Sequence, residues 1–193
     1  MKKETFITLL VVLSTGLLIA IVTTSLFLSF AKQYPLLSSF IKFFLLASIG
    51  DVIGQKLQSR TWGLPQKIFP KALVWGLIGV AIYIMFKIYP IGVTLLQVDG
   101  VLPFSGNTFF FAFFVSVIMN FTFAPTMMAI HRISDTYWNE RSRGQDPSFK
   151  ETVNVIDWGQ FYHFTLKRTI PLFWVPAHTI TFLLPEEYRI VFA

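Results

Sequence analysis

The feature that most constrains this chain is a series of long apolar runs that carry few charges. The first run, residues 5–30, contains no charged side chain. At about 1.5 Å per residue, a helix of that length exceeds the ~30 Å hydrocarbon layer of a bilayer. The 193 residues are 54% hydrophobic and only 13% charged, whereas soluble domains carry about 25% charged residues. The sequence therefore predicts an integral membrane protein with an N-terminal membrane helix.

A cleaved signal peptide is the alternative for the first run, because Lys2 and Lys3 precede it and small residues flank Phe30. We favour a membrane helix, since the run is longer than the usual apolar core of a signal peptide, about 7 to 15 residues. At the other end, residues 189–193 begin like a further span. The sequence leaves open whether the protein naturally ends at Ala193.

Four further apolar runs follow the break at Tyr34-Pro35. They cover residues 36–58, 72–98, 107–130 and 161–184. Prolines interrupt the last three runs: Pro90 lies in 72–98, Pro125 in 107–130, and Pro171 and Pro176 in 161–184. Residues 131–160 form the one long polar stretch, which we expect to be a loop. The predicted fold is an all-α, polytopic transmembrane bundle of about five spans in a single domain, residues 1–193.

The basic residues predict the orientation of this bundle. With the N-terminus inside, twelve of the 16 lysines and arginines fall on the inner side, as expected for the cytoplasmic or matrix-like face of a cell or organelle inner membrane. The net charge of +6 is then explained by orientation and by contact with anionic lipids. We expect membrane lipids and further copies of the chain as partners, and no nucleic acid.

Polar residues of the run 36–58 are candidates for a surface that faces the interior of the bundle. Asp51 and Gln55 lie on one stripe of the predicted helix, and an ionisable group inside the membrane needs a partner or water. Asp51 could line a water-filled interior or pair with a lysine or arginine near the interface. Lys42 lies on the opposite face, and we expect it to extend towards the headgroups. Gly50 and Gly54 have the spacing that lets two helices approach closely.

Three polar residues in later runs complete the candidate interior set. Lys87 lies near the middle of its span if the helix continues through Pro90, and near a boundary if the helix ends there. Asn120 should hydrogen-bond to a facing helix. His178 follows Pro176, and a broken helix with polar side chains is typical of solute sites, although a structural role for this histidine is the alternative.

The sequence contains no recognisable catalytic or cofactor motif. His131, His163 and His178 lack metal-ligand spacing, and neither a nucleophile elbow nor a phosphate-binding glycine loop occurs. The absence of cysteine excludes thiolate chemistry. We therefore predict no catalytic residue, no metal site and no cofactor, and we do not expect an enzyme.

Parts of residues 34–193 resemble one family. Tyr34-Pro35, Gly50-Asp51 and Gln55 look like the first helix of the family of the 22-kDa peroxisomal membrane protein and its Mpv-type mitochondrial inner-membrane relatives. Phe123-Ala124-Pro125, preceded by Asn120, resembles its middle helix. The run from Trp174-Val175-Pro176 to Arg189 is similar to its C-terminal signature, with Val175 splitting the Trp-Pro pair. Relative to this family, helix 5–30 is extra.

The resemblance implies a small helical membrane protein that forms a weakly selective pore for metabolites or ions. Our first functional hypothesis is accordingly a channel or transporter whose interior includes Asp51, Gln55, Asn120, His178 and Lys87. The alternatives are an integral-membrane enzyme that acts on lipid and a structural or assembly protein without turnover.

Overall fold

The computed structural model describes residues 2–185 and 188–189, and these residues form helices and no strand. In chain order the helices are α1 (Lys2–Val22), α2 (Ser25–Gln33), α3 (Pro35–Ser59), α4 (Ile68–Val98), α5 (Thr108–Thr122), α6 (Ala124–Ser142), α7 (Phe149–Asn154), α8 (Trp158–Gln160), the π-helix π1 (Phe161–Trp174) and α9 (Val175–Leu183). The predicted all-α class is confirmed. Residues 190–193, most of the further span suggested by the sequence, lie outside the described residues.

Two of the described helices, α3 and α4, are each long and apolar enough to cross a membrane. Two bent pairs pass the same test when each pair is counted as one span: residues 11–22 with α2, and α5 with α6. The chain thus has between two and four helical segments of membrane-spanning length and hydropathy. Segments of this kind indicate an integral membrane protein.

The first apolar run is two helices, where we expected one continuous helix over residues 5–30. Residues 11–22 and α2 meet at 63°. At the break, the Thr23 and Thr24 hydroxyls donate to the Ala20 and Ile21 carbonyls at 2.9 and 2.6 Å. Thr24 also accepts from the Phe27 N–H as the N-cap of α2. These local side-chain bonds give the backbone an alternative to a continuous helix.

Helix α4 continues through Pro90 to Val98, which decides between the two positions considered for Lys87. Pro90 removes one backbone N–H and leaves the rest of the hydrogen-bond ladder in place. The Thr94 hydroxyl donates to the Pro90 carbonyl at 2.9 Å within the same helix. Lys87 therefore lies inside a continuous 31-residue helix.

The predicted kink near Pro125 is present as a 44° bend between α5 and α6. Pro125 is the second residue of α6 and has no N–H for the Phe121 carbonyl, so the ladder is interrupted there. Helix α6 then continues to Ser142, and α7 and α8 follow. The expected loop over residues 131–160 is therefore wrong, because the first glycine after α6 is Gly144, at φ +82°, and nothing earlier stops the helix.

The last apolar run forms π1 and α9. Pro171 lies inside π1, and the Val175 N–H donates to the Ile170 carbonyl, five residues back. Pro176 lies in the first turn of α9, where a missing N–H costs no helical bond. The chain thus remains helical across both prolines, with Pro171 inside π1 and Pro176 at the start of α9.

By its internal contacts the chain forms two compact units, residues 1–80 with 134–148 and residues 81–133 with 149–193. In the first unit, two phenylalanine rings of α3 pack directly against two glycines of α4. A Cβ added at Gly76 or Gly79 would lie 2.6 Å from the ring of Phe40 or Phe43. Lys71 of α4 pairs with Asp135 of α6 at 2.7 Å.

Gly50 and Gly54, the glycines for which we expected close helix packing, lie in open space. A Cβ added at either would meet nothing within 4 Å, and both residues are exposed. Helix packing at this pair is therefore not made inside the described chain. Packing of the pair against a second copy stays a prediction.

The second unit has an apolar core between α4, α5 and α9. Helix α5 packs mainly against α9. The buried core residues are Phe86, Val93, Ala112, Val115, Met119 and Phe182. A small group of polar side chains lies between α5 and α9 next to this core.

Candidate functional site

The polar group of the second unit consists of Ser116 and Asn120 on α5 and His178 on α9. The side chains of Ser116 and Asn120 are completely buried. The carboxamide of Asn120 lies 2.9 Å (Nδ2) and 3.2 Å (Oδ1) from His178 Nδ1. Asn120 Nδ2 also donates to the Ser116 carbonyl at 2.8 Å. The predicted hydrogen bond from Asn120 to a facing helix is therefore present.

Ser116 ties this group to the start of α9. Its hydroxyl donates to the Val175 carbonyl at 2.7 Å, and the Thr179 hydroxyl donates to the same carbonyl at 2.7 Å. Val175 is the first residue after π1. The carbonyl that accepts these two hydrogen bonds therefore lies at the point where the helix type changes. π-Helical turns are rare and occur frequently at functional sites.

Aromatic rings enclose the imidazole of His178. Trp174 stacks on it with centroids 5.2 Å apart, and Phe86 meets it edge-on at 5.6 Å. Trp174 Nε1 is buried and has no hydrogen-bond partner within the part of the chain that the structure describes. The site therefore combines an amide and an imidazole, each able to donate and accept hydrogen bonds, with apolar walls in which such bonds are strengthened.

Lys87 belongs to the same unit, but it is not buried. Its side chain is exposed on α4, and Nζ lies 5.8 Å from the centroid of the Tyr83 ring. The ammonium is thus placed over an aromatic face, where a cation is attracted to the ring electrons.

Asp51 and Gln55 lie on α3 in the first unit, and Asn120 and His178 belong to the second unit. Asp51 is partly buried and is close enough to Lys71 and Asp135 for their charges to act on it. Lys71 itself bonds Asp135 and Asn139, each at 2.7 Å. A basic residue near Asp51 is therefore present, namely Lys71, but Lys71 forms its ion pair with Asp135.

Gln55 is a half-buried residue with one buried side-chain atom that is unsatisfied among the described residues. Its Oε1 has no hydrogen-bond partner, and its Nε2 lies 2.9 Å from the position of a Cβ added at Gly63. The side chain thus packs against the loop that follows α3. Whether it lines a solute pathway stays a prediction.

Ser116 is the one member of the Ser116–Asn120–His178 group that we did not predict from the sequence. It precedes Asn120 by four residues, so the two side chains share one face of α5, and that spacing was the available signal. The expectation for Lys42 on α3 differs from the structure in one respect, because its side chain is only 2% exposed.

The chain was also compared with known proteins. No family model matches it, and no curated protein or solved structure is significantly similar to it. Its function must therefore be inferred from the described site and from the physical chemistry of the sequence.

Proposed function

We propose that this protein is a polytopic membrane protein that provides a weakly selective pathway for small solutes or ions. The observation that carries the proposal is the buried Ser116–Asn120–His178 group at the junction of π1 and α9. Polar groups beside a discontinuous helix are a common way to build a solute site in membrane proteins. The resemblance to the family of the 22-kDa peroxisomal membrane protein supports the same function.

The chemistry of this group suits transient binding. Asn120 and His178 bond to each other, and both side chains can exchange that bond for one to a polar solute because each offers a donor and an acceptor. Such an exchange replaces one hydrogen bond by another, which keeps binding weak enough for release. A pathway built this way would select loosely for small polar solutes.

The proposal includes a topology of about five spans with the N-terminus on the cytoplasmic or matrix-like side. In this topology π1 and α9 together cross the membrane, in addition to the helices and bent pairs that satisfy length and hydropathy. The distribution of basic residues supports it, since twelve of the 16 lie on one side.

Purified protein in liposomes tests the proposal through solute efflux and conductance. His178→Ala should change the flux while the protein remains folded, because it removes one partner of the Asn120 bond. His163→Ala is the matched control, since His163 is an exposed histidine on π1. If liposomes that contain the unmodified protein show no solute flux and no conductance, the proposal is contradicted.

A structural or assembly role without turnover is the second candidate. It is favoured by the fact that Asn120 and His178 satisfy each other between aromatic rings, as a fully bonded polar pair in a packed core would. In that case the unmodified protein supports no flux, and His178→Ala lowers stability alone. A lipid-directed enzyme receives less support, because His178 bonds to an amide and has no carboxylate within 4 Å among the described residues.

A further inference from the structure

Lys42 on α3 is a buried cation that has no hydrogen-bond or ion-pair partner among the described residues. Its side chain is 2% exposed, and its Nζ has no hydrogen-bond partner. No carboxylate of the described residues lies within ion-pair distance of it. The Phe43 ring lies beside the ammonium, with its centroid 5.0 Å from Lys42 Nζ. A cation–π contact does not replace the several hydrogen bonds that an ammonium makes in water.

The acidic residues of the first unit do not supply the missing charge. Asp51 lies nine residues further along α3, which places it about 13 Å along the axis and half a turn around the helix. Asp135 is already bonded to Lys71 at 2.7 Å. Because an isolated charge is strongly disfavoured in an apolar interior, Lys42 calls for an anionic partner from outside the described residues.

Ser39 is a second unsatisfied group, one helical turn before Lys42. It is 1% exposed, and its hydroxyl has no partner. The neighbouring Ser38 behaves differently, since its hydroxyl donates to the Pro35 carbonyl at 3.0 Å. A serine in a helix usually makes such a bond to its own backbone, so the free hydroxyl of Ser39 is available for another acceptor.

We infer that Ser39 and Lys42 form a binding site for a phosphate group, carried by a phospholipid headgroup or free in solution. The ammonium and the hydroxyl would donate to its oxygens, and the negative charge would compensate Lys42. Both residues lie within about 10 Å of Pro35, the first residue of α3. That depth is within reach of a headgroup from the end of the helix. The inference does not depend on the solute pathway.

Thermal unfolding of the full-length protein tests the site with two probes. Inorganic phosphate is compared with chloride at equal ionic strength, and phosphatidylglycerol vesicles are compared with phosphatidylcholine vesicles. We expect one probe to raise the melting temperature of the unmodified protein, because a ligand that binds the folded state stabilises it. A shift with phosphate identifies a free anion, and a shift with phosphatidylglycerol alone identifies a lipid.

Variants locate the effect. Lys42→Met should abolish the shift, and it should raise the melting temperature without ligand because it removes an uncompensated buried charge. Ser39→Ala should weaken binding about tenfold, as expected for one hydrogen bond to a charged group, and Ser38→Ala should leave it unchanged. Lys42→Arg keeps the charge and provides a second folded variant in which the shift persists.

Three results would overturn the inference. The first is an unmodified protein that neither probe stabilises, and the second is an equal shift in Lys42→Met, which would indicate general screening. The third concerns Glu4, Glu186 and Glu187, whose side chains lie outside the described residues. If changing all three to glutamine lowers the melting temperature of the unmodified protein but not that of Lys42→Met, one of these carboxylates already pairs with Lys42, and the phosphate site is excluded.

Discussion

At the scale of single residues, the Asn120 carboxamide links two helices of the second unit. It bonds His178 on α9 and Ser116 on its own helix. In a membrane an unsatisfied polar group finds little water, so each partner depends on the others. The coupling between Asn120 and His178 should therefore be measurable.

A double-mutant cycle measures that coupling. Asn120→Leu and His178→Leu should each destabilise the protein by about 1–3 kcal/mol, because each leaves a buried polar group unpaired. The double variant should cost less than the sum of the two, with a coupling of about 0.5–1.5 kcal/mol. Chemical unfolding in detergent gives the three free energies. Thr94→Val, which removes a hydroxyl bonded within α4, should change stability little, and strictly additive effects would contradict a direct bond.

Asp51 allows a second prediction at this scale. Asp51→Asn should change stability by less than about 1 kcal/mol, because Lys71 keeps its ion pair with Asp135 at 2.7 Å. If Asp51 lines a conduction path, the same variant shifts the reversal potential towards anions, since an acidic group attracts cations. Asp135→Asn is the matched comparison and should be the more destabilising of the two. A large stability loss in Asp51→Asn alone would show that Asp51 holds a buried cation.

At the scale of helices, the approach of α3 and α4 depends on two small residues. Gly76 and Gly79 lie one turn apart on α4 and face Phe40 and Phe43 of α3. The rings occupy the space that any side chain at these glycines would need. Gly50 and Gly54 on α3 have no such neighbour, although their spacing is the better known packing pattern.

Alanine substitutions separate these two pairs. Gly79→Ala should destabilise the protein by about 1–3 kcal/mol, because the new Cβ would lie 2.6 Å from Phe43 Cγ, near the backbone, where little movement is possible. Gly76→Ala should cost less, since it meets the outer part of the Phe40 ring. Gly54→Ala should be neutral or stabilising through helix propensity, unless a second copy packs there. Melting temperatures in detergent at two protein concentrations make the comparison.

At the scale of the whole molecule, the proposed topology places the segment after α6 on the side of the N-terminus. Single cysteines at Ser142 and Ser105 should then react with impermeant reagents from opposite faces of sealed vesicles. The natural chain contains no cysteine, so each variant reports one position without background. Labelling of both positions from one face would refute the five-span arrangement.

The sequence by itself determined the helical class and the bounds of α3. The predicted span over residues 36–58 corresponds to Pro35–Ser59, because a proline at its start and a long apolar run are local signals. The bend at Pro125 was predictable for the same reason. The break at Thr23 and Thr24 was not predictable, because two hydroxyls within a long apolar run do not change its overall hydropathy, although they bond to the local backbone.

Only the tertiary structure decided which polar groups meet. Asn120 and His178 are 58 residues apart in sequence, and no pattern along the chain states that α5 packs against α9. The burial of Lys42 was likewise hidden, because periodicity shows which face a residue occupies and not what covers that face. Pairing and burial depend on side chains from distant segments, whereas helix formation in an apolar run depends mainly on backbone bonds within the run itself.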